Sequence, residues 1–268
     1  MTLRRMPDRP LSQALIERAL SPIESGPFGK RVYYYPQVDS TNDVARELAA
    51  HEVPEGALAI TDHQTAGRGR RGRVWVAPPR ANLLMSALFR PHLDPEDAGR
   101  LVMVCGLALA EAVEQVGARP VAVKWPNDLL LGGKKFVGIL PESGIVGLKL
   151  AWLIVGMGVN VNQRFEADDP LAETATSLYT HTGHSYDRAT VLVRIVQALN
   201  RWYARLREEA LVEAWRGRCS TLGRRIRVET SGGTLEGQAE EIDAQGALWL
   251  RDDGGERHRL TASEVTLL

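Results

Sequence analysis

At residues 67–73 the chain reads Gly67-Arg68-Gly69-Arg70-Arg71-Gly72-Arg73, which places four guanidiniums and three glycines within seven residues. Glycine lets the backbone bend and approach a ligand closely, and arginine offers permanently charged, planar donors that suit carboxylate and phosphate oxygens. The whole chain holds 33 basic and 33 acidic residues, so its formal net charge is zero. This segment, the arginine loop, therefore predicts a local anion site for a small acid or a nucleotide.

A dinucleotide-binding loop is one alternative, because the arginine loop satisfies the spacing G-x-G-x-x-G and follows the apolar run at 57–60. Such a loop should open a helix and be followed by an acidic residue about 20 residues later. Here Val74-Trp75-Val76 and Pro78-Pro79 follow instead, and residues 87–92 hold no carboxylate. The context does not fit that fingerprint. A flexible basic surface loop is the remaining simple interpretation.

Length and composition predict a globular protein with one large domain and one small domain. The chain has 268 residues, of which 44% are hydrophobic, and its two cysteines, Cys105 and Cys219, are too few for a disulfide framework. Residues 1–10 lack the apolar core of a signal peptide, and every apolar run is broken before the roughly 18 residues that a membrane helix needs. We therefore expect a cytoplasmic protein in a reducing compartment, with no membrane partner.

Hydrophobic periodicity and turn signals predict interleaved helices and strands up to about residue 220. The predicted helices span residues 11–20, 44–50, 94–116 and 187–207, and the predicted strands span residues 31–35, 57–60, 121–125, 129–131, 136–140 and 151–155. Hairpins and short connections dominate the middle of the chain, so we expect an α+β fold with a mixed β-sheet flanked by helices. Beyond residue 221, short strands at 225–228, 235–242, 247–250 and 256–260 alternate with glycine-containing turns, which predicts a small β-barrel.

Two polar residues stand out by their positions. Lys124 lies between Val123 and Trp125 in an otherwise apolar strand. A lysine is costly to bury without a partner, so its ammonium should face a cleft or an anion. Ser40 precedes the helical pattern at 44–50 and can cap that helix whatever the protein does. Position alone therefore favours a functional role for Lys124 more than for Ser40.

Four segments together resemble the biotin protein ligases. They are Asp39-Ser40-Thr41-Asn42, then Gln64-Thr65-Ala66 with the arginine loop, then Lys124-Trp125-Pro126-Asn127-Asp128, and then Gly156-Met157-Gly158-Val159-Asn160. The resemblance runs from about Val32 to the end of the chain and includes Gly138-Ile139-Leu140 with Glu142. It implies an N-terminal helix and linker at 1–29, a catalytic domain at 30–220 and an SH3-like C-terminal domain at 221–268. The DNA-binding domain of one branch of the family has no counterpart, which argues against a repressor.

The resemblance implies a two-step reaction. Biotin and ATP, with Mg²⁺, give biotinoyl-5′-AMP and pyrophosphate, and the biotinoyl group then passes to a lysine of a biotin carboxyl carrier protein or domain. The first step brings two anions together, so preorganised cations are required. In the family pattern Lys124 bridges the biotin carboxylate and the α-phosphate, while Arg68 and Arg70 fold over both ligands. Trp75 closes over the ligands as an aromatic lid.

The same resemblance assigns the site residues. The implied biotin-binding residues are Ser40, Thr41, Asn42, Gln64, Gly67, Arg68, Trp75, Lys124, Gly138, Gly156 and Gly158. The implied ATP-binding residues are Arg68, Arg70, Trp75, Asn127 and Asn160, the catalytic residues are Lys124, Arg68 and Arg70, and the metal-binding residues are Asn127 and Asp128. Gly138 is expected near the biotin slot, and Gly156 and Gly158 are expected to allow close strand approach.

Two other functions remain open. A lipoate-protein ligase has a similar catalytic fold, but those enzymes tend to carry a different, glycine-rich motif in place of the arginine loop. A non-catalytic nucleic-acid-binding module is suggested by the basic loop and the predicted barrel, but zero net charge argues against it, and we expect no DNA partner. A homodimer is left open. We also expect the arginine loop to be mobile without ligand, since four like charges and three glycines should not pack by themselves.

Overall fold

The computed structural model describes residues 9–166, 168–230, 233–261 and 264–267, which form six α-helices and twelve β-strands. The helices are α1 (Gln13–Leu20), α2 (Thr41–Ala50), α3 (Ala98–Gln115), α4 (Leu178–Thr182), α5 (Arg188–Ala204) and α6 (Glu209–Arg218). The strands are β1 (Arg31–Tyr35), β2 (Ala57–Thr61), β3 (Leu83–Phe89), β4 (Val121–Lys124), β5 (Asp128–Leu131), β6 (Lys134–Val146), β7 (Lys149–Val159), β8 (Arg225–Thr230), β9 (Gly233–Ile242), β10 (Leu248–Asp252), β11 (Arg257–Leu260) and β12 (Glu264–Leu267). Residues 1–8, most of the segment inspected for a signal peptide, and the predicted turn residue Gly232 lie outside the described residues.

A seven-stranded sheet with the order β1-β2-β3-β7-β6-β5-β4 forms the larger part of the protein. β1 and β2 are parallel and the other neighbours are antiparallel, so the expected mixed sheet in an α+β fold is confirmed. The β5–β6 hairpin closes at Gly132 and Gly133, which both have positive φ, as its two glycines predict. None of the helices in the described ranges combines the length and the apolar run that a membrane crossing requires.

The two faces of this sheet are covered by different helices. α3 packs against α5 and against the central strands, and ten of its twelve buried residues belong to the main core. α2 packs against β2, β3 and β7 over a smaller cluster that includes Ala59, Leu88 and Ile154. Since successive side chains of a strand point to opposite faces, α2 lies on the face that α3 leaves uncovered.

The C-terminal strands form a separate five-stranded antiparallel sheet with the order β11-β10-β9-β8-β12. β11 and β12 are its edges, and no pairing between them is seen within the described ranges, so this sheet is not a closed barrel there. Arg100 of α3 fixes the sheet to the larger domain. Its buried guanidinium donates to the carbonyl oxygens of Leu206, Glu208 and Ala244 at 2.7–2.9 Å.

Several predicted boundaries and elements differ from the structure. The strand predicted at 151–155 continues to Val159, because its glycines pair regularly with β6 instead of ending the ladder. The helix predicted at 94–116 begins with a 3₁₀ turn at Pro95–Asp97, and α3 itself starts at Ala98. Four elements were not predicted at all: α4, α6, β3 and β12.

Candidate active site

One cross-strand row of residues forms the floor of the candidate site. From β3 to β4 the directly paired residues are Leu84, Gly158, Gly138, Asp128 and Lys124. Directly paired residues project from the same face of a sheet, and by alternation this is the face that α2 covers. The row therefore places two glycines between an apolar side chain and a carboxylate–ammonium pair.

A cavity opens above this floor and brings most of the predicted site residues together. Those that line it are Ser40, Thr41, Asn42, Gln64, Arg68, Arg70, Trp75, Lys124, Asn127, Asp128, Gly138, Gly156 and Gly158. The free volume is about 170 Å³. That is below the roughly 300–1,000 Å³ that is typical of ligand pockets. Occupation by two substrates therefore requires part of the wall to move.

Two predicted residues do not line the cavity. Gly67 is buried beneath the backbone of Trp75, and a Cβ there would overlap the Trp75 carbonyl oxygen. Asn160 is 5% exposed, and its amide joins two other segments: Nδ2 donates to Thr176 O at 3.0 Å and Oδ1 accepts from Asn82 Nδ2 at 3.2 Å. These contacts hold Asn160 behind the wall, so the structure does not place it against a nucleotide.

Trp75 lies directly on the two floor glycines. A Cβ built on Gly138 would be 2.8 Å from Cζ3 of Trp75, and a Cβ built on Gly158 would be 2.6 Å from its Cε2. Similarly, a Cβ on Gly156 would overlap Oδ1 of Asn42. In this structure the three glycines make room for the protein's own side chains. The indole Nε1 of Trp75 is buried without an acceptor in the described part of the chain, which is unfavourable by about 1–3 kcal/mol.

A polar network occupies the N-terminal end of α2. Ser40 caps the helix, as predicted, by accepting from Asn42 N at 3.3 Å. Gln64 Oε1 accepts from Thr41 N at 2.9 Å and from Thr41 Oγ1 at 3.1 Å. The hydroxyl of Ser86 lies 2.7 Å from Thr41 Oγ1 and 2.6 Å from Asn42 Oδ1. Ser86 was missed, although a lone serine in the apolar strand β3 was the available signal.

Four charged side chains close a ring at the rim of the cavity, which we call the four-charge ring: Asp43, Arg46, Arg68 and Glu142. Arg68 donates to Asp43 at 2.7 and 2.9 Å and to Glu142 at 3.2 Å. Arg46 donates to Asp43 at 2.7 Å and to Glu142 at 2.5 Å. The Arg68 guanidinium lowers the pKa of the Asp43 carboxyl. Burial raises the pKa of Glu142, but hydrogen bonds from Asn42 and Arg46 outweigh that effect and the pKa is lowered.

The other end of the cavity holds further cations. Lys135 was missed because it lies between the predicted hairpin turn at 132–133 and the predicted strand at 136–140. Its Nζ lies 2.7 Å from Oδ1 of Asp128 and 5.6 Å from the centroid of the Trp75 ring. Arg70 Nη1 donates to Asn127 Oδ1 at 2.9 Å, and burial lowers the pKa of this guanidinium.

The C-terminal sheet also reaches the site. Arg71 has a left-handed backbone with φ 54°, and its Nη2 donates to the carbonyl of Glu229 on β8 at 2.6 Å. Val265 of β12 lines the cavity. The side chains of Arg68, Arg70 and Arg71 are therefore each bonded to a different segment. The expectation that the loop cannot pack by itself did not include these contacts. Mobility without ligand stays a prediction.

Comparison with known proteins identifies the class. The Biotin/lipoate A/B protein ligase family model matches residues 34–160, and the Biotin protein ligase C terminal domain model matches residues 221–268. The biotin–[acetyl-CoA-carboxylase] ligase of Mycobacterium tuberculosis is 36% identical over 96% of this chain and 97% of its own length. The bifunctional ligase/repressor BirA of Bacillus subtilis is 34% identical over 85% of this chain and 71% of its own length.

A solved structure agrees with these relatives. The biotin protein ligase from Aquifex aeolicus in complex with biotin and ATP superposes with a TM-score of 0.72 and 29% identity, over 89% of this chain and 99% of that one. The fold is thus that of an enzyme of the ligase class. The chain belongs to the biotin protein ligase family.

Proposed function

We propose that this enzyme converts biotin and ATP to biotinoyl-5′-AMP and pyrophosphate and then transfers biotin to a lysine of a biotin carboxyl carrier domain. The observation that carries the proposal is the placement of the arginine loop over a glycine floor that ends in Asp128 and two lysines. Such a site offers an apolar slot with a cationic end, which matches an acid that is activated by a nucleotide.

Biotin occupies the slot between Trp75 and the N-terminal end of α2. Its ureido group needs several hydrogen bonds, and Ser40, Thr41 and Gln64 offer hydroxyl and amide groups there. Trp75 has to shift from the glycine floor when the ring of biotin enters, since the free volume is small and the indole covers Gly138 and Gly158. This shift of Trp75 breaks no hydrogen bond of the indole N–H, because Nε1 has no acceptor among the described residues.

Adenylation joins a biotin carboxylate oxygen to the α-phosphorus of ATP while the bond from that phosphorus to the pyrophosphate oxygen breaks. A cation between the two anions favours this transition state. The family pattern gave that role to Lys124. In the structure, Lys124 lies two strands from Gly138, about 10 Å between Cα atoms at the usual strand spacing, whereas Lys135 reaches Trp75.

We therefore assign the bridging position to Lys135 and place Lys124 nearer the phosphates. Arg70 is held beside the same end of the cavity by Asn127 and can bind phosphate oxygens. The remaining predicted nucleotide contacts, Asn127 and Asn160, stay predictions, and Asn160 would have to leave its present partners.

Mg²⁺ fits the site through one protein ligand. Magnesium is usually held by one or two carboxylates together with substrate phosphates and water. Asp128 supplies the carboxylate that lines the described cavity, whereas Oδ1 of Asn127 is already engaged by Arg70. Asp128 would hold the ion, which neutralises phosphate charge when bound, and Lys135 would exchange its partner from Asp128 to the substrates.

In the transfer step the amine of the carrier lysine attacks the acyl carbon and the bond to the phosphate oxygen breaks, so AMP leaves. The acyl-adenylate is already activated, and the enzyme has mainly to position the amine. We propose that the C-terminal sheet is an SH3-like domain, which its family match supports. We also propose that this domain forms part of the active-site wall through Val265. The cytoplasmic location and the absence of DNA and membrane partners stay predictions from the sequence. A homodimer stays an open possibility.

One experiment separates the proposed function from the lipoate alternative. Purified protein is incubated with ATP and Mg²⁺ and with either biotin or lipoate, and pyrophosphate release is measured. We expect release with biotin and biotinoyl-AMP bound to the protein by mass spectrometry. Release with lipoate and none with biotin would reject the proposal.

A further inference from the structure

The four-charge ring gives Arg68 two carboxylate partners, Asp43 and Glu142. Both carboxylates of the ring bind its guanidinium, and the contact with Asp43 is bidentate. The ring contains two positive and two negative groups, so its net charge is zero. A ligand anion would have to displace two carboxylates to reach this guanidinium. The displacement is unfavourable because a bidentate arginine–carboxylate pair is strong and has a specific geometry.

The ring is connected to the two sides of the biotin slot, which are the N-terminal end of α2 and the segment that carries Trp75. Oε1 of Glu142 also accepts from Nδ2 of Asn42 at 2.8 Å, and Asn42 contacts Ser86 on the floor side. On the loop side, the backbone of Arg68 forms a bridge with Val74, and Gly67 O accepts from Trp75 N at 2.9 Å. The position of the Arg68 backbone therefore helps to set the position of the indole of Trp75.

On this geometry we propose that Asp43, Arg46 and Glu142 are positioning residues that hold Arg68 as the anchor of the arginine loop, and that Arg68 does not serve as a ligand cation. This inference rests on the proposed function, because it concerns the loop that retains biotin and the adenylate. The anchor fixes the first half of the loop between α2 and β6. Lys124, Lys135 and Arg70 then remain as the cations that meet the substrates.

Arg46 is the member of the ring that separates this proposal from a direct ligand role. It lies on α2, its side chain is 46% exposed, and it is not among the described residues that line the cavity. Its guanidinium lies between the two carboxylates, so its removal leaves Asp43 and Glu142 with one counter-charge instead of two. The ring then opens by mutual repulsion of the carboxylates, and Arg68 loses a fixed partner.

The test uses the full-length variant Arg46→Gln with Arg18→Gln, an exposed arginine on α1, as the matched control. Arg46 makes two partly exposed ion pairs, so biotinoyl-AMP should dissociate about two- to thirtyfold faster from Arg46→Gln. The single-turnover adenylation rate at saturating substrates should change less than about twofold, since no transition-state contact is removed. Arg18→Gln should match the wild type in both. Unchanged dissociation in Arg46→Gln, or equal acceleration in the control, overturns the proposal.

A double-variant comparison excludes a nonspecific effect of charge. Because Arg46 and Glu142 act through the same ring, Arg46→Gln combined with Glu142→Gln should accelerate dissociation no more than the larger single effect. Additive effects would show that the residues act separately. Trypsin cutting within 67–73 of the ligand-free protein provides a readout that needs no biotin chemistry, and it should be faster in Arg46→Gln than in Arg18→Gln. If the wild type made no biotinoyl-AMP, the proposed function would fail while this comparison would still decide the role of the ring.

Discussion

Replacing Lys135 by methionine tests the assignment of the bridging cation. Methionine keeps an unbranched apolar stem and removes the ammonium, so the packing beside Trp75 is retained. The ion pair with Asp128 is lost, but its side chains are 35% and 21% exposed, and such pairs contribute about 0–1 kcal/mol to folding. We therefore expect little change in thermal stability.

The rate of adenylation should fall much more than the stability. Losing one preorganised group that stabilises developing charge usually lowers the rate by about 10²–10³-fold, or roughly 2.7–4 kcal/mol. The carboxylate and the α-phosphate repel each other most strongly in the transition state, so the binding of biotin alone should weaken by less than about tenfold. Transfer from supplied biotinoyl-AMP to a carrier domain should also be less affected.

Single-turnover measurements of Lys135→Met and Lys124→Met decide between the two lysines. Our assignment predicts the larger loss of adenylation for Lys135→Met. If Lys124 holds the bridging position, as the family pattern implies, Lys124→Met should lose at least about 100-fold and the order reverses. A normal adenylation rate in Lys135→Met, or equal losses in adenylation and transfer, would refute the reasoning.

Three further outcomes follow from the same geometry. Gly158→Ala should weaken biotin binding in calorimetry with an intact fold, because the new Cβ would be 2.6 Å from the indole of Trp75, and unchanged affinity would show that the indole moves freely. The lowered pKa values of Asp43 and Glu142 stabilise the fold above the usual carboxyl pKa of about 4 and lose that effect as pH falls through the folded-state values. The melting temperatures of the wild type and Glu142→Gln should therefore converge at acid pH, and a constant difference would speak against the ring. Protease cutting in the arginine loop should decrease when biotin is added, and equal cutting in both states would count against ligand-induced ordering.

The sequence predicted those parts of the structure that depend on local signals. The two glycines at 132–133 predicted a hairpin because few other residues adopt positive φ there, and Ser40 predicted a helix cap because the hydroxyl acts on its own helix. The family pattern named half of the residues that line the cavity, and the anion site at the arginine loop stays a prediction.

The remaining features depend on residues that are distant in the sequence. Arg46 and Glu142 are 96 residues apart, and nothing local in either segment signals their contact. Lys135 gains its significance only when β5 and β6 pair and bring it beside Asp128. The sequence also does not show that Trp75 and Asn42 lie against the glycines of β6 and β7, because these contacts form only when distant segments pack together. The end of β7 was misplaced because glycine was taken to terminate a strand that pairing continues.

The central claim is that this chain attaches biotin to a carrier lysine through an adenylate. The most direct measurement is mass spectrometry of a purified biotin carboxyl carrier domain after incubation with the enzyme, biotin, ATP and Mg²⁺. The account predicts a mass increase of one biotinoyl group on a single lysine, which requires both ATP and the enzyme. A carrier domain whose mass does not change, while the same preparation is biotinylated by a known biotin protein ligase, would contradict it.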